Sequence, residues 1–138
     1  MSEQRVGDHT GELRVGEPIP ELKVTPDRYL TYRYAGASGD FNPIHIDAEF
    51  ARSVGLPGKI LHGLWSMAQV ARALTDAAGG PTHLKRLSVQ FRGMGVPEQE
   101  VTVRGIVREI ADGRAIVDVE AEQSGSKIIR NAEATLAL

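Results

Sequence analysis

Leu61-His62-Gly63-Leu64-Trp65-Ser66-Met67-Ala68-Gln69-Val70-Ala71-Arg72-Ala73-Leu74-Thr75-Asp76-Ala77-Ala78, followed at once by Gly79-Gly80-Pro81, is the stretch that settles the architecture. Leu64, Met67, Ala68, Ala71, Leu74 and Ala78 recur at spacings of three and four, the period of one helix face. No proline interrupts the run, and Gly79-Gly80-Pro81 ends it. Ala68, Ala71, Ala73, Ala77 and Ala78 keep this helix slim, so that a sheet can pack closely around it.

Past Pro81 the period changes to two. Leu84, Leu87, Val89 and Phe91 lead one strand. Val101, Val103 and Val107 alternate with Thr102, Arg104 and Arg108 in a second. Asp112-Gly113 predicts a tight hairpin, after which Ala115, Val117, Val119 and Ala121 form a third strand. Ser124-Gly125 marks another turn before a last strand from Ile128 to Leu138. A long helix followed by an antiparallel meander predicts an α+β domain, with one face of the sheet against the helix.

The chain before that helix is more broken. Leu22-Lys23-Val24 can start a strand. Asp27 is placed as the N-cap of a helix through Tyr29, Leu30, Tyr32 and Tyr34, which Gly36 and Gly39 would stop. Residues 36–46 read as a loop punctuated by Gly, Asn and Pro. A short helix capped by Asp47 runs through Val54, and Gly55, Pro57 and Gly58 make a second loop. Residues 1–12 are polar with nothing to bury, which predicts disorder there and one domain over 13–138.

The 138 residues, 41% hydrophobic and 25% charged, suit one soluble domain with a core of its own. Aromatic residues are only 5%, so that core must rest on Val, Ile, Leu and Ala. A net charge of −2 without like-charge runs argues against a nucleic-acid binder. There is no cysteine, hence no thiolate nucleophile or thiolate metal site. The first twelve residues lack the apolar stretch of a secretory signal. No segment approaches the roughly 18 apolar residues that read as a membrane span. The expectation is a cytoplasmic protein without membrane insertion.

The chemistry concentrates in Tyr34-Ala35-Gly36-Ala37-Ser38-Gly39-Asp40-Phe41-Asn42-Pro43-Ile44-His45. A carboxylate and an imidazole stand five residues apart, with Pro43 stiffening the backbone between them. Such a pair can pass protons in both directions near neutral pH. Asp-x-Asn-Pro is also ordinary turn chemistry, in which Asp40 only caps backbone amides. The second segment is His62-Gly63 at the start of the long helix. The Gly63 N–H could point at an acyl oxygen with help from the helix dipole, or Gly63 could serve close packing alone.

Other chemistries fit less well. Asp40, His45, Asp47 and His62 could be assembled into a metal site, but they lack helical His-x-x-x-His spacing, and no ligand set is convincing. No Gly-x-Ser-x-Gly elbow supports a serine nucleophile, and Ser38 and Ser66 read as turn and helix residues. No phosphate-binding glycine pattern follows a strand. His83, beside Lys85 and Arg86, reads as a surface residue. Lys59, Lys85, Arg86 and Arg92 could form a basic patch for a phosphorylated ligand, although each also reads as a solvated surface charge.

Gly39-Asp40-Phe41-Asn42-Pro43-Ile44-His45 resembles, without mismatch, the Gly-Asp-x-Asn-Pro-hydrophobic-His core of the MaoC-like enoyl-CoA hydratases and dehydratases. Ile60-Leu61-His62-Gly63 is similar to that family's second signature. The resemblance covers residues 14–138. It implies a single hot-dog fold, in which a long helix is wrapped by a curved antiparallel sheet. It also implies reversible hydration of trans-2-enoyl thioesters, giving (R)-3-hydroxyacyl products. Asp40 and His45 would be the catalytic pair and Gly63 the oxyanion donor, with Ser38, Asn42 and His62 binding or supporting. The substrate would be an acyl-CoA or acyl-carrier-protein thioester. No metal, flavin or nicotinamide is called for, and a homodimer, or a heterodimer with a related subunit, is expected. The rival readings are a hot-dog acyl thioesterase and a non-catalytic acyl-binding partner subunit. One departure stands out. Where many relatives carry Pro-Val and then a Gly-Asp turn after Phe91, this chain has Arg92-Gly93-Met94-Gly95-Val96-Pro97-Glu98-Gln99.

Overall fold

In a computed structural model, which describes residues 13–138, the long helix α4 runs over Gly63–Ala78. It ends at Gly79, whose left-handed backbone (φ 90°) suits a residue without a side chain. Three short helices precede it: α1 over Leu30–Ser38, α2 over Pro43–Ile46 and α3 over Ala48–Ser53. Residues 1–12, expected to be disordered, lie outside the described residues.

Five strands wrap α4: β1 over Leu22–Val24, β2 over Leu84–Phe91, β3 over Val101–Ala111, β4 over Arg114–Gln123 and β5 over Ser126–Ala137. All pairings are antiparallel, in the order β1-β3-β4-β5-β2. Asp112-Gly113 and Ser124-Gly125 each hold two successive positive φ angles. That is the hairpin geometry that follows the sheet's own twist. This is the hot-dog fold.

The inner sheet face is apolar. Val101, Val103, Val107, Val117, Ala134 and Leu136 are buried there with Val70, Ala73, Leu74 and Ala77 of α4 in one core cluster. Each fully buried Val or Leu contributes about 1.5–3 kcal/mol. The outer face is charged. Arg104 reaches both Glu21 and Glu122, and Arg108 reaches Asp118 and Glu133.

Four local expectations need correction. The expected stripe of α4 is right only in part: Leu74 and Ala78 are buried and Met67 packs against the core, but Leu64 and Ala68 face outward, and Trp65, Ser66, Val70, Ala73 and Ala77 complete the buried face. Leu64 is 63% exposed. The buried face is the expected one turned toward Trp65 and Val70, and the two share Leu74 and Ala78. Asp27 does not cap α1 as N-cap, a position that Tyr29 holds. Asp27 Oδ1 instead accepts the Tyr29 N–H at 3.0 Å one turn early and grips Arg33. Gly36 sits inside α1 rather than ending it, and Gly39 (φ 79°) is the stop. His83 is half-buried, and its Nδ1–H donates to the Ala137 carbonyl at 2.8 Å. No helix among the described residues is long and apolar enough to cross a membrane.

Candidate active site

The loop between α1 and α2 is built from side chains that bond to backbone. Ser38 Oγ–H donates to the Tyr34 carbonyl (2.7 Å), and its oxygen accepts the Asp40 N–H (3.2 Å). Ser38 therefore holds the Asp40 backbone rather than a catalytic side chain. Asp40 Oδ1 accepts the Asn42 N–H (3.2 Å), and Asn42 Oδ1 accepts the Ile44 N–H as N-cap of α2 (3.2 Å). Pro43 at the first helical position has no N–H to satisfy. The turn reading of Asp40 is thus partly right. One carboxylate oxygen serves the turn, while the side chain remains half exposed at 51%.

His45 is buried, and its Nδ1 lies 2.8 Å from the Ile60 carbonyl oxygen. A carbonyl only accepts, so Nδ1 carries the proton and Nε2 of the neutral ring is left with its lone pair free. Ile60 is itself fixed by its N–H, which donates to the Ile44 carbonyl at 3.1 Å. The bare Nε2 faces Asp40 Oδ2 across 3.9 Å. That gap is too wide for a direct hydrogen bond. It is the right width for one water bonded to both groups.

His62 closes the back of the site. It is buried, stacks on His45 with ring centroids 3.8 Å apart, and lies 4.6 Å from the Tyr34 ring. Its Nε2–H donates to the Asp40 carbonyl at 3.0 Å. Burial holds its pKa below the ordinary histidine value. The neighbouring His45 adds to that lowering, while the bond to the Asp40 carbonyl opposes it. Gly63 follows as the first residue of α4. The Trp65 and Ser66 N–H groups return to the His62 carbonyl. The Gly63 N–H has no partner among the described residues, as expected at a helix start. A Cβ on Gly63 would lie 3.2 Å from the Phe91 ring, so the absent side chain makes room for that ring.

Asp40, His45 and His62 offer ligand atoms within 4.8 Å of one another. Asp47, the fourth residue weighed for such a set, is the N-cap of α3 as expected, its Oδ1 accepting the Phe50 N–H. The imidazoles are poorly disposed toward a shared ion. Their planes differ by only 22° and are stacked, so the in-plane lone pairs lie in two offset planes rather than in one shared plane.

Two contributors escape a reading of side chains. The Ile60 carbonyl sets the His45 tautomer, yet a backbone oxygen leaves no mark in sequence. Gly95 lets segment 60–62 pass closely: its carbonyl accepts the Leu61 N–H (2.8 Å), and a Cβ there would lie 2.8 Å from Leu61 Cδ1. The doubled glycine of Gly93-Met94-Gly95 was the only available signal.

A slim helix wrapped by a five-stranded sheet, with a carboxylate and an imidazole facing each other beside the helix start, defines a hot-dog domain of the hydratase-motif type. The chain belongs to the MaoC like domain family, whose model matches residues 14–127. It is 35% identical over 107 residues to enoyl-CoA hydratase ChsH3 of Mycobacterium tuberculosis, a match covering 73% of this chain and 35% of that protein. It is 41% identical over 96 residues to the fatty acid synthase subunit beta of Aspergillus oryzae, covering 67% of this chain and 5% of the subunit. The chain thus spans a minor part of these relatives. Among solved structures, a MaoC-like dehydratase superposes with a TM-score of 0.88 at 28% identity, over 92% of this chain and 41% of that one. A chain of the ChsH1-ChsH2 complex from Mycobacterium tuberculosis superposes with a TM-score of 0.81 at 27% identity, over 91% and 98%.

The lowered His62 pKa has a signed consequence. The folded protein resists a proton that the unfolded chain takes up near pH 6.5. Stability from this group is therefore fully present above about pH 6.5 and is lost as pH falls toward the folded pKa. Thermal melts between about pH 5 and 8 should show this loss in the wild type and a flatter profile in His62→Gln. Equal slopes in the two proteins would contradict it.

Proposed function

We propose that this chain catalyses the reversible hydration of trans-2-enoyl thioesters to (R)-3-hydroxyacyl thioesters, as a hydro-lyase. The observation that carries the reading is the bare His45 Nε2 facing the Asp40 carboxylate across 3.9 Å. The family membership supports it, and the stereochemistry is carried from the family resemblance.

In the forward direction, one water bonds to Asp40 Oδ2 and His45 Nε2. Its oxygen attacks C3 of the enoyl group while one of the two side chains accepts a proton. The C2–C3 π electrons move to C2 and the thioester carbonyl, and a proton delivered to C2 completes the addition of H2O. Asp40 and His45 share one water, so acid and base belong to the pair rather than to either residue. The Gly63 N–H holds the thioester oxygen as enolate charge develops, aided by the dipole of α4. Ser38 and Asn42 hold the loop that carries Asp40. His62 ties the Asp40 backbone to the ring of His45. No redox step occurs, so no nicotinamide or flavin is required.

The working unit is a dimer with a second hot-dog domain, and the protein acts in the cytoplasm. Two features support pairing: β2 is an edge strand among the described residues, and Phe91, Leu64 and Met94 are exposed at its end and beside the start of α4. An exposed edge strand with apolar neighbours is normally covered. Sedimentation of the purified chain should give twice the monomer mass. A monomer that stays inactive until a related subunit is added would instead assign the heterodimer.

Loss of the enoyl absorbance of crotonyl-CoA reads the chemistry directly. The wild type should consume it without thiol release. Asp40→Asn and His45→Ala should each lower the rate by about 10²–10⁴. Thiol release would assign a thioesterase, and equal turnover by all three proteins would remove the proposed pair.

A further inference from the structure

The departure after Phe91 does structural work. The Arg92 N–H donates to the Ile128 carbonyl at 3.1 Å, so the chain stays against β5 beyond the end of β2. At Gly93 a Cβ would lie 2.5 Å from the Lys127 carbonyl oxygen, closer than any side chain permits. The loop is then pinned by buried Gln123. Its Oε1 accepts the Val96 N–H, and its Nε2–H groups donate to the Val96 and Gln99 carbonyls, all within 2.9 Å. The close approach at Gly93 brings Arg92 to the start of β5, which carries Lys127 and Arg130. A register shift in β5 near Arg130, with Asn131 at φ 50°, accompanies it.

Arg92, Lys127, Arg130 and Ser126 line a depression of about 560 Å³, with Glu122 as its one carboxylate. Glu122 is already bonded to Arg104. Lys127 bonds Glu120 at 2.6 Å. Arg92 Nε donates only to the neutral Gln90 side chain, and neither Arg92 nor Arg130 pairs with a carboxylate among the described residues. The depression therefore carries net positive charge, with two guanidinium groups uncommitted to any acid. Guanidinium forks match phosphate oxygens in geometry and charge. Arg92 directly follows Phe91, whose ring lies over Gly63.

We infer that the Arg92–Lys127–Arg130 depression binds the phosphate end of the phosphopantetheine arm that carries the acyl thioester. The inference rests on the hydration reading for its substrate class. The thioester would lie at Asp40, His45 and Gly63, and the arm would run past Phe91 to the cations. Both common acyl carriers, coenzyme A and carrier protein, hold their thiol on such an arm.

Calorimetric titration of the full chain with coenzyme A, 4′-phosphopantetheine and pantetheine tests this without turnover. The wild type should bind the phosphorylated ligands at least about tenfold more tightly than pantetheine, with the preference falling as salt rises. Arg92→Gln and Arg130→Gln should each reduce that preference by about five- to tenfold. A reduction seen with both phosphorylated ligands supports the site and assigns it to their shared phosphate. A reduction confined to coenzyme A overturns the assignment to the arm's phosphate, because the cations would then hold the nucleotide end instead. Equal binding of pantetheine by the wild type, or an unchanged preference in both variants, overturns the inference. Hydration of a crotonyl pantetheine thioester, which carries no phosphate, reads the Asp40–His45 chemistry separately, so the two proposals fail independently.

Discussion

The hydrogen bond from His45 Nδ1–H to the Ile60 carbonyl, at 2.8 Å, is the constraint on which the site depends. It is short, largely shielded from water, and made to a backbone atom that is itself tied to Ile44. It fixes the ring's orientation and its tautomer together, and the tautomer decides what faces Asp40. A ring with its proton on Nε2 would present a donor to the carboxylate and could not accept a proton from water. The 60–62 segment that supplies the carbonyl is held on its other side by Gly95. It then continues into His62 and the first turn of α4. Helix start, the Asp40–His45 loop and the loop after β2 are therefore one hydrogen-bonded unit, although their residues are far apart in sequence.

The burial contrast within that unit is also informative. His45 and His62 are enclosed while the Asp40 side chain is half exposed. Burial, with the His45 ring stacked beside it, holds the His62 pKa below the ordinary histidine value. The neutral form that this favours spends its one N–H on the Asp40 carbonyl. Asp40 and His45 Nε2 are left facing each other at the rim, where the proposed proton exchange would take place.

Much of this was legible in the sequence because the signals were local. The long helix, its Gly79 stop, the strand alternation and both hairpin turns depend on residue spacing and on glycine conformation. Asp40, Asn42 and His45 announced themselves through a stiff, polar, proline-containing loop. Facts that depend on tertiary choice were not legible. Leu74 and Ala78 of the expected α4 stripe are buried, but only the packed sheet shows that the face is turned toward Trp65 and Val70 and leaves Leu64 outside. Asp27 looked like a helix cap by residue type but serves a turn two residues earlier. His83 looked exposed among charges, yet β5 brings the Ala137 carbonyl to it. The Ile60 carbonyl could not be read at all, since every residue has one. Arg92-Gly93 was visible as a departure, but its meaning required the start of β5 beside it.

The most direct test of the account is the tautomer of His45, read from the ring-nitrogen resonances of ¹⁵N-histidine-labelled protein at mildly alkaline pH. His45 should carry its proton on Nδ1 and His62 on Nε2, with Ile60 and Asp40 as their respective acceptors. Nitrogen spectra showing His45 protonated on Nε2 would contradict the account, because the imidazole could then not accept a proton from water beside Asp40.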